Sequence, residues 1–315
     1  MSLLSSIPSP SFNSFSVGPL SLNIYGLAIA CGVIAAVWMF GKRLEERHAG
    51  TADDASSIAI WAVIAGVIGA RLYHVATDWD RFTDNYAAIP KLWQGGLGIP
   101  GGLAAGIPVG LLIAKRKGIS MPMAATCAAP AIPLAQAIGR LGNYFNQELY
   151  GKATSLPWAL EIDDAHLLDG YASGTTFHPT FLYELLWSLA LCGVLLWIDR
   201  KWRPGLGQLM AMYIVGYGIG RFWVEGLRID RADELAGLRW NQWVAIVMVG
   251  GGSFALAMMR RNPILEEAEP FDGGDELVTD VVDNGEIVDD GEIAAHDGEF
   301  VDEATADDAA ADDAR

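Results

Sequence analysis

Cysteine is almost missing from this chain, with three in 315 residues. Cys31, Cys127 and Cys192 each lie inside an apolar block, without CxxC spacing or a histidine pair nearby. Neither a disulfide framework nor a zinc cluster is indicated, and all three are expected to be small buried hydrophobes. Histidine is also scarce, at five residues, and no His/Cys/Asp/Glu spacing suits a metal ion. Charge is thin and unevenly placed. Twenty of the 38 acidic residues and one of the 21 basic ones lie in 266–315, which leaves 18 acids and 20 bases before them. The net charge of −17 therefore belongs to a tail and carries no information about a ligand. No metal, cofactor or nucleic-acid partner is expected.

What the chain has in quantity is apolar sequence, 52% of its residues, gathered into blocks of about twenty. That is the length needed to cross a hydrocarbon layer about 30 Å thick. Seven spans are predicted, at approximately Leu20–Phe40, Ser57–Thr77, Gly96–Ala114, Met123–Ile138, Thr180–Ile198, Leu206–Val224 and Gln242–Met259. The fold class is all-α and polytopic. An N-terminal extracytoplasmic segment (1–17) precedes a membrane domain (18–262) that includes an extracytoplasmic loop at about 149–179. An acidic tail (263–315), too poor in apolar residues to offset chain entropy, is expected to be disordered and cytoplasmic. The fourth span is short and holds Pro130 and Pro133, which neighbouring helices can accommodate.

Orientation is read from bare basic runs: Lys42, Arg43 and Arg47; Lys115, Arg116 and Lys117; Arg200, Lys201 and Arg203; and Arg260-Arg261. These mark the cytoplasmic ends, placing the N-terminus outside and the C-terminus inside. Trp79, Trp93, Trp158 and Trp240 then flank spans on the outer side. Ala28-Ile29-Ala30-Cys31 loosely resembles a lipoprotein processing site. It lacks the preceding positive stretch, so the chain is not expected to be a lipoprotein itself.

On this topology the unusual polar residues gather at the outer leaflet: Tyr25; Arg71, Tyr73 and His74; Gln94; Arg140, Asn143, Asn146 and Glu148; His178, Tyr183 and Glu184; Tyr217, Arg221, Glu225 and Arg228. A charge near the membrane interior costs roughly 2.5–3.5 kcal/mol, so such groups tend to be paired and functional. Arg221 and Glu225 stand at i and i+4 and can share a cavity, although a plain structural ion pair is the alternative. Arg140 has no acid within a helical turn. Its planar fork suits an anionic lipid headgroup, and Gly139 and Gly142 beside it allow close helix approach or ligand access. Arg71 is expected to snorkel to the interface and His74 to be a satisfied interfacial histidine. GGLGIPGG lacks a preceding strand and reads as a tight turn or a helix-packing surface rather than a nucleotide loop.

The segment GRLGNYFNQELYG, Gly139 to Gly151, resembles the signature of the prolipoprotein diacylglyceryl transferase family, G-R-x-G-N-[FY]-x-N-x-E-x-x-G, at all thirteen positions. Likeness extends to Tyr25-Gly26, GARLYHV, WQGG with its following GG, SLPW, HPTFLYE and RFWVEGLR, covering about Pro19 to Arg261. One departure is Pro100, where many members carry a histidine proposed to help activate the thiol.

The resemblance implies a bacterial cytoplasmic-membrane enzyme. It would transfer the diacylglyceryl group of phosphatidylglycerol to the lipobox cysteine of a prolipoprotein signal peptide, forming a thioether and releasing glycerol 1-phosphate. It implies catalytic roles for Tyr25, Arg140, Asn143, Glu148, Arg221 and Glu225, with the two arginines near the lipid phosphate. Substrate contacts are expected from Asn146, Gly151, Tyr217, Arg228 and His178, and His178 is also a candidate base. Two other classes compete. A transporter should show midplane polar groups and inverted repeats, and no such repeat is found. A structural scaffold leaves the signature unexplained.

Overall fold

A computed structural model describes residues 6–17, 20–83, 85–91 and 95–261. The acidic tail, with Trp93 and Gln94 of the WQGG segment, lies outside the described residues. A short hairpin, β1 (Ser14–Val17) and β2 (Leu20–Asn23), leads into α1 (Ile24–Glu46) and α2 (Ala52–Thr77). Next come α3 (Ile99–Arg116), α4 (Met121–Ala128) and α5 (Ala131–Phe145). The two-residue strands β3 (Leu160–Glu161) and β4 (Thr176–Phe177) pair before α6 (Thr180–Trp202) and α7 (Gln208–Glu225). A second two-residue pair, β5 (Glu234–Leu235) and β6 (Leu238–Arg239), precedes α8 (Trp240–Arg261).

Local chemistry sets the helix boundaries. Asn23 caps α1 by accepting from the Tyr25 amide, and Thr51 and Asp54 close a reciprocal capping box on α2. Pro100 falls in the first turn of α3, where no backbone N–H is needed. Arg203 ends α6 in the left-handed conformation, and Gly207, with φ +83°, lets the chain turn into α7. The apolar block expected as one span at Met123–Ile138 is two helices bent by 42°. The break is at Ala129-Pro130, where the proline cannot continue the amide ladder.

Among the described residues, four helices, α1, α2, α6 and α8, are long and apolar enough to cross a membrane, and the bent α4–α5 pair, taken as one span, would be a fifth. This is the make-up of a multi-pass membrane protein. Their outward faces carry Ile34, Trp38, Val247 and Phe254, each more than half exposed. Such apolar faces match lipid rather than water. Cys127 and Cys192 are buried as expected, whereas Cys31 is exposed. Apolar surroundings in a membrane protein include the lipid, so an apolar sequence context did not mean burial within the protein.

Helix neighbours run α3–α2–α1–α5–α6–α7–α8, with α4 touching α1, α3 and α7. The α2–α3 contact is a glycine seam. A Cβ at Gly69 would lie 2.4 Å from the Gly101 carbonyl oxygen, and one at Gly106 would lie 2.9 Å from that of Ala62. GGLGIPGG is thus in large part a helix-packing surface, because only glycine lets the two backbones meet.

Above the end formed by the starts of α1 and α6 and the finish of α5 sits a small cap with its own core. Tyr150, Leu160, Ile162, Phe177 and Phe181 are buried there together. The N-terminal segment is part of this cap: Ile7 donates to Ala159 and accepts from Glu161, and Tyr144 Oη donates to Pro8 at 2.7 Å. Gln147 Nε2 reaches both Pro10 and Asp163, which ties that segment to the chain just after α5.

Candidate active site

Arg140 lies in the last two turns of α5 and Arg221 in the last two turns of α7, and a carboxylate on α6 holds both. Glu184 Oε2 is 3.0 Å from Arg140 Nε, and its Oε1 accepts from Arg221 Nη1 at 3.1 Å. Glu184 is one of the outer polar residues of the sequence, but no sequence spacing links it to either arginine. Arg140, which has no acid within a helical turn of its own segment, is partnered by this glutamate from α6. One amino group of Arg140, Nη2, has no hydrogen-bond partner among the described residues, and neither has Nε of Arg221. Donors therefore remain for an anion.

On the α5 side the network continues through the signature. Arg140 Nη1 donates to Asn143 Oδ1 at 3.2 Å, and Asn143 Nδ2 donates to Glu148 Oε1 at 2.7 Å. Asn143 is buried while Glu148 is half-buried, so one amide links the guanidinium to the more open carboxylate. The backbone that carries Glu148 is strained: Gln147 and Leu149 hold φ of +50° and +61°, the left-handed region that costs non-glycine residues of order 1–3 kcal/mol. Gln147 is locked there by its side-chain bonds to Asp163 and Pro10.

On the α7 side, Arg221 Nη2 lies 2.9 Å from Glu225 Oε2. Glu225 is fully buried and also receives Arg239 Nε at 2.8 Å, with Arg228 Nη1 at 3.7 Å. Arg228 makes a two-pronged contact with Asp230 at 2.8 and 3.0 Å, and Arg239 adds 3.1 Å to the same carboxylate. Burial pushes the Asp230 carboxyl up, but the hydrogen bonds from Arg228 and the charges of Arg228 and Arg239 outweigh it, and the net direction is down. Arg228, expected to touch substrate, is held in this knot. Arg239 and Asp230, which are not among the site residues expected from the sequence, come from the strand and loop that lead into α8.

Tyr25 meets the signature through its ring. A Cβ on Gly142 would fall 2.0 Å from Tyr25 Cδ2, so that glycine is what allows the ring to lie against α5. Gly139, by contrast, faces open space. Gly151 is enclosed where three segments cross, since its Cβ would lie 2.9 Å from His178 Cβ and 3.0 Å from the Leu227 oxygen. Its amide donates to His178 and the Lys152 amide to Leu227. The structure thus gives Gly151 a packing reason. His178 Nδ1 is 3.1 Å from Tyr183 Oη, which accepts from Trp158 Nε1 at 3.0 Å. Tyr217 packs against Tyr213 one turn below Arg221. Asn146 ends α5 and lines a cavity of about 360 Å³ with Gln147, Glu148, Leu149, Tyr150, His166, Leu168 and Asp230.

Arg71 does not snorkel. It is 6% exposed and donates to the carbonyls of Ala88, Ile89, Gly95 and Gly96 at 2.5–3.0 Å, clamping the α2–α3 connection. A guanidinium with several carbonyls within reach has no need of water. His74 is satisfied as expected, with Nδ1 2.8 Å from Asp78.

A family model described as prolipoprotein diacylglyceryl transferase matches residues 13–258. The phosphatidylglycerol–prolipoprotein diacylglyceryl transferase of Frankia alni is 46% identical over 271 residues, covering 85% of this chain and 71% of its own length. That of Cutibacterium acnes is 46% identical over 260 residues, covering 82% and 88%. That of Rhodococcus jostii is 43% identical over 309 residues, covering 93% and 84%.

Proposed function

Because the chain belongs to the prolipoprotein diacylglyceryl transferase family, and is therefore an enzyme of the transferase class, we propose the following reading of its site. It moves the diacylglyceryl group of phosphatidylglycerol onto the thiol of a lipobox cysteine, in the signal peptide of a prolipoprotein, and releases glycerol 1-phosphate. This is the first step of lipoprotein maturation. What carries the reading is the joining of the signature arginine to Arg221 through Glu184.

Breaking the glyceryl C–O bond leaves charge on the phosphate, and cations held in place before the reaction favour that transition state over the ground state. Arg140 and Arg221 bind the phosphate with their uncommitted donors and stabilise the leaving group. Glu184 sets their spacing, and Glu225 orients Arg221. Tyr25, Asn143 and Glu148 build the wall that positions the glyceryl group. Asn146, Tyr217 and His178 border the substrates, while Gly151 and Arg228 hold the surrounding frame.

The reading includes seven spans in a bacterial cytoplasmic membrane, with α3 and α7 crossing alongside the more apolar helices. The N-terminus is outside, the C-terminus is cytoplasmic, and the site opens toward the outer leaflet. The bare basic runs at the opposite helix ends support this orientation, and exported prolipoproteins would meet the site on that side. The deciding experiment incubates purified protein with phosphatidylglycerol vesicles and a lipobox peptide. A diacylglyceryl mass increase on cysteine is expected. No increase, with correctly folded protein and both substrates present, overturns the reading.

A further inference from the structure

Four carboxylates stand around the site, and three are paired with guanidinium groups. Glu184 takes Arg140 and Arg221; Glu225 takes Arg221 and Arg239; Asp230 takes Arg228 and Arg239. Glu148 differs. Among the described residues, the partner of its side chain is the neutral amide of Asn143, and Glu148 lines a cavity together with Asn146, Tyr150 and His166. Placing a proton on Glu184, Glu225 or Asp230 weakens at least two ion pairs. A proton on Glu148 breaks none, and the Asn143 amide still finds a carbonyl oxygen to donate to.

Position adds to this. Asn143 accepts from Arg140 with one end of its amide and donates to Glu148 with the other. The carboxylate free of cations is therefore one amide away from a guanidinium that has donors left for a phosphate. A general base must stand within hydrogen-bond reach of the proton it removes, and Glu148 is a half-buried residue that lines a cavity. Of the histidines near the site, His178 faces Tyr183. His166 lines the same cavity, where its carbonyl accepts from Tyr150 Oη at 2.9 Å.

We propose that Glu148 is the proton acceptor for the attacking thiol, a proposal that depends on the diacylglyceryl-transfer reading and deepens it. The thiolate, not the thiol, is the effective nucleophile. The S–H proton passes to the Glu148 carboxylate, and the sulfur lone pair forms the S–C bond to the glyceryl CH2. The C–O bond breaks with its electron pair going to the phosphate oxygen, and glycerol phosphate leaves. The proton on Glu148 then passes to that phosphate or to water, which restores the carboxylate. Asn143 is the positioning residue for this step, since it holds the base and the phosphate-binding arginine in one register.

A nucleophile that needs no base tests the proposal. Purified wild type and Glu148→Gln are compared with two lipobox peptides, one carrying cysteine and one selenocysteine, under reducing conditions. The selenol is already ionised at neutral pH, and the glutamine keeps an oxygen for Asn143. Glu148→Gln is expected to lose about 100-fold or more with the thiol peptide, as removal of a general base does, and less than about 10-fold with the selenol peptide. Equal losses with both peptides, or no loss with either, overturn the proposal. Should the glutamine variant fold poorly, Glu148→Asp serves: a larger deficit with thiol than with selenol supports the role, and equal deficits refute it. Failure of wild type to modify the cysteine peptide overturns the transfer reading itself, so the two failures are distinguishable.

Discussion

The two ends of the helix array each hold a carboxylate shared by two arginines, yet the clusters are built differently. At the end opposite the signature, Asp199 on α6 accepts from Arg43 of α1 at 2.9 Å and from Arg47, which caps that helix, at 2.5 Å. Arg43 is 5% exposed and also reaches the carbonyls of Cys127 and Thr126. At the signature end, Glu184 joins arginines from two different helices, α5 and α7, that flank its own. Arg140 is more open, with 21% of its side chain exposed, and its chain of contacts runs on to a cavity through Asn143 and Glu148. Similar ion chemistry therefore staples helices at one end and leaves donors available for an anion at the other. Residue type does not separate the two; how open the arginine is, and whether its contacts run on to a cavity, do.

The difference can be broken by substitution, starting with the largest effect. Arg140→Ala should lower the rate of prolipoprotein conversion in membranes by about 100-fold or more, the scale seen when one transition-state donor is removed; a wild-type rate would remove its phosphate role. Glu184→Gln, which keeps size but loses the bridging charge, should cost about 10- to 100-fold in kcat, with folded protein still recovered. Charge lost from a preorganised cluster acts mainly on the transition state, so a change confined to KM would speak against this role.

At the other end, Asp199→Asn should lower stability by about 3–5 kcal/mol, as breaking a buried pair does. That loss is read as an earlier thermal transition in detergent, and the molecules that remain folded should keep their specific activity. Equal activity losses at the two ends would erase the contrast. Gly142→Ala probes the contact between Tyr25 and α5, because the added Cβ meets the ring at 2.0 Å. A roughly tenfold activity loss is expected, and an unchanged rate would show that the ring can shift at no functional cost. Truncation after Arg261 should change specific activity less than about twofold, since Glu184 and its partners all precede that residue.

Legibility varied with the range of the interaction. The apolar blocks fall on helices because twenty apolar residues bounded by caps, glycines and prolines carry their signal locally. The thirteen-residue signature holds Arg140, Asn143 and Glu148 within about two turns, so their company was visible in the sequence. Glu184 and Arg239 were not legible as site residues, since Glu184 lies 37 and 44 residues from Arg221 and Arg140, and Arg239 lies 14 and 9 residues from Glu225 and Asp230. Arg71 misled for a related reason: its four carbonyl acceptors stand in a connection 17–25 residues further on. Cys31 misled because an apolar neighbourhood does not distinguish a protein core from a lipid-facing surface.

The sequence by itself determined the membrane-type helices, the family and the identity of the signature residues. These follow from composition, periodicity and short spacings. The tertiary structure alone decided which carboxylate holds which arginine, and that Glu148 is the acid of the site left without a cation among the described residues. The physical reason is that an ion pair across helices depends on how three backbones pack. That packing is set by glycine contacts, a proline-broken helix and a strained loop whose effects accumulate only once the chain is folded.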